Sequence, residues 1–231
     1  LRDLEFTFRM ADCADDLAKF LDAIDRDKVI VVGYSMGGAI AQYFWQRHPH
    51  KISGIVLTAT GYRSAISGKP VERLAGPALR FAMAGTRILE RMRRVPPEKD
   101  MRQPRPMSAG KLPARDMLKM DLRRTSLRTL VESAKEVTSF DTNHILPTIT
   151  VPTAVLVTLK DNTFSAKHQK RMAAKIVGAK TYEYDDGHLS CIRVAYSEAL
   201  AASCLELSNR IQLEQNFSAE APIGAKNEAS L

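Results

Sequence analysis

Three observations predict an α/β fold with a mostly parallel, doubly wound sheet and a helical insertion. Short β-branched runs alternate with segments of helical period at both ends of the chain. One strand passes into a helix through a tight glycine-rich turn, and a long middle segment breaks the alternation.

The first element runs from about Met10 to Ile24. Ala14, Leu17, Ala18, Leu21 and Ile24 recur there at three-and-four spacing, and Asp12 offers an N-cap. Val29–Val32 follows as a β-branched run of the kind buried on both faces of a parallel sheet. Gly33-Tyr34-Ser35-Met36-Gly37-Gly38 makes the turn, Ala39–Arg47 is helical and stops before Pro49, and Ile52–Leu57 is a second buried strand. Strand, turn, helix and strand in that order form a βαβ unit with a right-handed crossover. Late in the chain come a strand at Thr153–Thr158, a helix at Ser165–Ile176, a strand at Thr181–Tyr184 and a long helix from Ile192 to about Ile211.

The middle carries no convincing strand. Helices are expected at Val71–Ala84, Thr86–Arg93, Ala114–Ser126 and Leu127–Thr138, with Pro96, Pro97, Pro104 and Pro106 punctuating the link between them. The expected organisation is therefore a core of residues 1–60 and 148–214 and a helical insertion of residues 61–147. Residues 215–231 are rich in Ala, Glu, Lys and Asn without an apolar period, and are expected to be a disordered tail.

Composition narrows the function classes. The 231 residues are 45% hydrophobic and 26% charged, which is ordinary globular usage. No apolar run is long enough for a transmembrane helix, so no membrane span is expected. Cys13, Cys191 and Cys204 lack the number and spacing of a disulfide framework or a zinc site, and read as buried or half-buried reduced thiols of a cytoplasmic protein. The net charge of +8 is concentrated in residues 61–147, where 18 Lys and Arg face 9 Asp and Glu. No aromatic platform is interleaved with that basic segment, so a solvated helical surface is favoured over nucleic-acid binding.

The strongest chemical signal is Gly33-Tyr34-Ser35-Met36-Gly37, which fits G-x-S-x-G between a strand and a helix. A serine forced into such a turn stands clear at the carboxyl edge of the sheet. Glycines two residues before and after it remove side chains that would collide. At the start of a helix, neighbouring N–H groups can receive a developing oxyanion. A serine needs a base. His48 and His50 flank Pro49 at a helix end, His144 precedes Ile145-Leu146-Pro147, and His168 sits among Lys167, Gln169, Lys170 and Arg171 on an expected solvated face. His188, in Asp185-Asp186-Gly187-His188, follows the last strand and reaches the same edge as Ser35, so it is the expected base. A carboxylate must fix its tautomer. Asp161, just after the strand Thr153–Thr158, is the first candidate. Asp185, Asp186 and Asp141 are rivals. The pattern has neither the Lys-Ser/Thr of a phosphate-binding P-loop nor a G-x-G-x-x-G spacing, so nucleotide binding is not expected.

Together these features resemble the α/β-hydrolase family, and most of all its actinobacterial-type serine hydrolases. The resemblance rests on the Gly-Tyr-Ser-Met-Gly-Gly elbow, the helical insertion after the next strand, Val151-Pro152-Thr153-Ala154-Val155 leading to Asp161, and Gly187-His188. It covers about Met10 to Arg210. It implies Ser35 as nucleophile, Asp161 as acid and His188 as base. The Met36 N–H would serve as an oxyanion donor within an elbow of Gly33, Gly37 and Gly38, Tyr34 as a substrate contact, and residues 61–147 as a substrate-selecting cap. It also implies a small-molecule acyl substrate, hydrolysis of a carboxylic ester through an acyl-enzyme, and no cofactor or metal. Ser35 separates the chain from haloalkane dehalogenases of this fold, which carry an aspartate at the elbow, whereas cofactor-free haloperoxidases keep the triad. Members usually carry three or four strands before the nucleophile, and a His-Gly loop that completes the oxyanion hole. Here 34 residues precede Ser35, and nothing between Leu1 and Lys28 resembles that loop. The alternative expectation is therefore an N-terminally truncated, catalytically impaired domain that binds a partner or forms a homo-oligomer through its sheet edge.

Overall fold

The computed structural model describes residues 7–64, Ala78 and 127–220. In chain order the described elements are α1 (Met10–Ala23), β1 (Val29–Tyr34), α2 (Met36–Arg47), β2 (Ile52–Thr58), α3 (Leu127–Ser139), β3 (Thr153–Thr158), α4 (Ala166–Ala173), β4 (Lys180–Tyr184) and α5 (Val194–Glu220). The four strands form one sheet in the order β1-β2-β3-β4, and every neighbouring pair is parallel. All four therefore end on the same edge, and the loops leaving those ends converge.

Alternation along the strands splits the core in two. Val31, Ile55, Leu57, Val155 and Val157 face α1, α2 and α4, which contribute Ala14, Ala18, Leu21, Phe44, Trp45, Met172 and Ala173. Each large side chain fully buried in this way contributes about 1.5–3 kcal/mol. The opposite face carries Val56 and Ala154, with Ile30 and Tyr182 beside them, under Leu207 and Ile211 of α5. β2 and β3 are buried on both faces, as their β-branched runs predict. β1 departs from that expectation. It is one of the two outer strands of the described sheet, and its Val32 is 45% exposed because α5 lies across β2 and β3.

α1 shows how local signals yield to tertiary ones. Met10, Ala14, Ala18 and Leu21 are buried, so the period holds. The expected N-cap does not: the helix begins at Met10, Arg9 is extended, and Asp12 falls within the first turn. Two carboxylates of α3 take the N-terminal donors instead. Glu132 accepts from the Phe8 N–H at 2.9 Å and Glu136 from the Met10 N–H at 3.1 Å. At the other end of the α1–α2 pair, Arg47 places two N–H groups on Asp15 at 2.7 and 2.6 Å, and His48 Nε2 lies 2.8 Å from the same carboxylate. These hydrogen bonds hold the Asp15 carboxyl at about 2.

Residues 62–64 and 140–142 lie side by side. The Ser64 N–H donates to Phe140 O at 3.1 Å and the Thr142 N–H to Tyr62 O at 2.7 Å, and Arg63 pairs with Asp141 in an antiparallel bridge. α3 matches the helix expected at Leu127–Thr138. Ala78 is helical, and the rest of the helices expected at 71–84, 86–93 and 114–126 lie outside the described residues. α5 continues to Glu220, well beyond the expected stop near Ile211. Residues 215–220, read as part of a disordered tail, are thus helical; no Gly or Pro interrupts Leu213–Ala221, and Glu, Gln and Ala favour the helix. Cys13 and Cys204 are half-buried as expected, but Cys191 is exposed. Among the described residues no helix is long and apolar enough to cross a membrane.

Candidate active site

β1 ends at Tyr34 and α2 begins at Met36, so the chain reverses through Ser35 alone. That residue sits at φ 52° and ψ −119°, a left-handed conformation costing on the order of 1–3 kcal/mol for a residue with a side chain. The surroundings hold it there. The Ser35 N–H donates to Thr58 O at 3.1 Å, and Ser35 O accepts from the Gly38 N–H at 3.0 Å and from Thr60 Oγ1 at 2.7 Å. The turn is also tightly packed. A Cβ on Gly33 would lie 2.6 Å from Gly38 Cα, and one on Gly38 would lie 2.4 Å from the Thr60 side chain. The expectation that Gly37 relieves a collision is corrected: a Cβ there would meet nothing within 4 Å. The crowded pair is Gly33 and Gly38, because α2 starts directly over β1.

Ser35 Oγ lies 2.9 Å from His188 Nε2, and His188 Nδ1 lies 2.9 Å from Asp161 Oδ2. An ionised carboxylate can only accept, so Nδ1 carries the proton and Nε2 is left to accept from the serine hydroxyl. The Asp161 side chain has no exposed surface, while His188 keeps 22% of its own. Burial by itself would raise the Asp161 carboxyl. The hydrogen bond from His188, the Phe164 N–H, the charge of His188 and the Thr163 N–H outweigh it and hold the group below its ordinary value. Oδ1 accepts from the Thr163 N–H at 2.7 Å and the Phe164 N–H at 2.9 Å, and Oδ2 also accepts from Thr158 Oγ1 at 3.0 Å. The Phe164 ring lies 6.0 Å from the imidazole, centroid to centroid.

Met36 is the first residue of α2, so its N–H has no carbonyl partner within the helix. The Tyr34 hydroxyl donates to the His188 carbonyl, and its ring meets Tyr196 edge-on at 5.7 Å. Burial raises the Tyr34 phenol, which stays protonated. Tyr196 in turn donates to Thr58 Oγ1 at 3.3 Å. The rival acids are engaged elsewhere. Asp185 pairs with Lys160 at 2.8 Å, Asp186 with Arg193 at 2.5 Å, and Asp141 accepts from the Asn143 N–H at 2.8 Å. Of the other histidines, His48 meets Asp15, and His144 lies 3.3 Å from the Gln46 side chain. His168 is not the solvated residue its charged neighbours suggest. It is half-buried and stacked on Tyr62 at 4.6 Å, and it accepts from the Tyr62 N–H at 3.4 Å.

Sequence reasoning missed a polar residue that lies beside Asp161. Gln169 was grouped with a solvated charged face, yet it is fully buried. The signal was its spacing: Gln169, Met172, Ala173 and Ile176 form an i, i+3, i+4, i+7 stripe, and the last three belong to the core.

A family model described as "Serine aminopeptidase, S33" matches residues 7–189. A poly(3-hydroxyalkanoate) depolymerase of Ectopseudomonas oleovorans is 29% identical over 203 residues, covering 84% of this chain and 65% of that protein. A pimeloyl-[acyl-carrier protein] methyl ester esterase of Neisseria meningitidis is 38% identical over 72 residues, covering 31% of this chain and 26% of the esterase. The chain thus spans less than two thirds of the length of either relative. Among solved structures, a hydrolase from Pseudomonas aeruginosa PA01 superposes with a TM-score of 0.65 at 24% identity, over 87% of this chain and 72% of that one. An esterase from Thermogutta terrifontis superposes with a TM-score of 0.61 at 24% identity, over 89% and 74%. With a parallel sheet that agrees with these folds and a family match over most of its length, the chain belongs to the α/β hydrolases of the serine aminopeptidase S33 family.

Proposed function

We propose that the protein is a serine hydrolase that cleaves a carboxylic ester, or a related acyl compound, through an acyl-enzyme. The observation that carries this reading is the unbroken chain Ser35 Oγ, His188 Nε2, His188 Nδ1, Asp161 Oδ2, with both contacts at 2.9 Å. Ser35 attacks the acyl carbon while its proton passes to His188 Nε2. The carbonyl oxygen becomes an oxyanion that the Met36 N–H receives at the start of α2; a single donor of this kind is typically worth about 10²–10³ in rate. The tetrahedral adduct collapses, the leaving oxygen takes the proton from His188, and the acyl group stays on Ser35. Water then attacks that ester, gives a proton to His188, and releases the acid as the proton returns to Ser35. Asp161 keeps the imidazole in the tautomer this cycle needs.

An ester is favoured because one curated relative is named a methyl ester esterase and another a depolymerase. Residues 61–147 serve as the cap that selects the acyl group, consistent with the paired ends at Tyr62 and Thr142. Tyr34 borders the substrate through its ring while its hydroxyl stays on the histidine loop.

A fluorophosphonate probe tests the reading. The wild-type protein should be labelled and should hydrolyse p-nitrophenyl acetate, and Ser35→Ala should lose both. Equal labelling of the two proteins would overturn the assignment of Ser35. A folded wild-type protein that neither labels nor hydrolyses would favour the partner-binding reading, for which the edge strand β1 with its exposed Val32 is one candidate surface.

A further inference from the structure

Gln169 is a buried primary amide on a helix of eight residues, beside the acid rather than in it. Burying such a group without partners costs several kcal/mol in an apolar setting. Here both ends of the amide are engaged. Nε2 donates to Phe164 O at 2.7 Å and to Thr158 Oγ1 at 2.8 Å, and Oε1 accepts from the Thr158 N–H at 3.1 Å. Longer contacts run from Nε2 to Thr158 O at 3.4 Å and to Asp161 Oδ2 at 3.5 Å. The orientation of the amide follows from its partners. A backbone N–H can only donate and a carbonyl oxygen can only accept, so a flipped amide would set its NH2 against the Thr158 N–H and its oxygen against the Phe164 and Thr158 carbonyls.

That orientation directs a second group. The Thr158 hydroxyl has one hydrogen. Because Thr158 Oγ1 accepts from Gln169, its hydrogen is directed to Asp161 Oδ2, 3.0 Å away. The same Oδ2 receives the His188 Nδ1 proton. The other carboxylate oxygen is held by N–H groups of Thr163 and Phe164, which belong to the acid's own turn and would move with it. Gln169 ties that turn to α4, and Thr158 ties it to the end of β3.

We propose that Thr158 and Gln169 are a positioning pair. Gln169 sets the direction of the Thr158 hydroxyl, and the hydroxyl holds Asp161 Oδ2 on His188 Nδ1. The pair acts through Asp161 and touches no substrate. This inference rests on the Ser35–His188–Asp161 assignment above. Its chemistry predicts a signature beyond slower turnover. Without the Thr158 donor, the Asp161 charge is less neutralised and pulls harder on the imidazolium, so the ascending limb of the kcat/KM pH profile moves to higher pH.

The experiment compares Thr158→Val, Thr158→Ser, Gln169→Met and Ser35→Ala as full-length proteins. Hydrolysis of p-nitrophenyl acetate is followed across pH, and kcat is normalised to active sites titrated with a fluorophosphonate, or to total folded protein for Ser35→Ala, which has no serine to label. Counting only labelled molecules keeps a partly unfolded variant interpretable. Thr158→Val should lower kcat about tenfold, a size suited to one hydrogen bond to a charged group, with KM within about twofold. Its ascending limb should shift upward, Thr158→Ser should restore both rate and profile, and Gln169→Met should shift the limb in the same direction. A Thr158→Val protein with wild-type kcat and pH profile overturns the inference. So does a loss of rate that Thr158→Ser fails to restore. If Ser35→Ala still hydrolyses the ester at the wild-type rate, the underlying assignment fails, and that result is distinct from an active-site serine with an indifferent Thr158.

Discussion

At the end of β1 and at the end of β3 the fold solves the same problem by different means. Ser35 is held by backbone. Its φ of 52° is imposed by a turn in which Gly33 and Gly38 nearly touch, and its own N–H and C=O are bonded to Thr58, Gly38 and Thr60. Asp161 is held by a hydrogen-bond network, with two N–H groups, a hydroxyl and an imidazole converging on one carboxylate and a buried glutamine behind them. The first arrangement leaves little room for substitution but needs few polar partners. The second tolerates changes of shape but depends on donors facing the right way. The Ser35 turn should therefore be broken by volume and the Asp161 site by removing charge or polarity.

The largest expected effect lies on the acid side. Asp161→Asn keeps the shape but no longer demands a proton on Nδ1, so it should reduce kcat by about 10⁴ while the far-UV circular dichroism stays unchanged. A drop of less than tenfold would move the role of acid to another carboxylate. Next come the glycines. Gly33→Ala and Gly38→Ala place a Cβ within 2.6 Å of Gly38 Cα or of the Thr60 side chain, and the displacement should cost about 10² in kcat. Gly37→Ala is the control: its Cβ enters open space in a helix where alanine is preferred, so activity should stay within a few-fold of wild type. If Gly37→Ala is as damaging as Gly33→Ala, crowding is not what shapes the elbow.

The smallest effect concerns α4 and its neighbours. Burial, and then the charges of Arg63 and Arg171, lower the His168 pKa from 6.5. The unfolded chain therefore binds a proton at His168 before the folded chain does. The stability this histidine contributes is complete above about pH 6.5 and is lost as pH falls through the depressed value. Thermal melts between pH 7.5 and 5.5 should show Tm falling with pH, with a shallower slope in His168→Phe, which keeps an aromatic ring against Tyr62. Parallel slopes would show that the stack does not couple to protonation. The Asp161 carboxyl is likewise depressed. Its contribution is present above its unfolded value of 3.8 and disappears as pH drops through the lower folded one, a window well apart from that of His168.

The turn at Ser35 was readable because its information is local. A strand, a Gly-x-Ser-x-Gly turn and a helix follow one another within nineteen residues, and each constraint acts on its immediate neighbours. The chain order serine, acid, histidine at successive strand ends pointed to Ser35, Asp161 and His188, and the structure brings these side chains within hydrogen-bond distance. The surroundings of Asp161 were hidden because they are contacts between elements. Gln169 sits among Lys167, Lys170 and Arg171, and a count of charge hides a buried amide whose partners are Thr158 at the end of β3 and Phe164 in the loop after it. His168 misled for the same reason, since Tyr62 reaches it from 106 positions away.

Hydrophobic period and turn chemistry along the chain were enough to set the strand–helix alternation, the parallel sheet and the position of the elbow, because backbone sterics and side-chain spacing act over a few residues. Folding in three dimensions decided the rest: the helix start capped by Glu132 and Glu136 of another helix, the one-sided burial of β1, the crowding of Gly38 by Thr60, and the donors around Asp161. A hydrogen bond between distant residues depends on where the packed elements place its two atoms, and linear spacing carries no record of that distance.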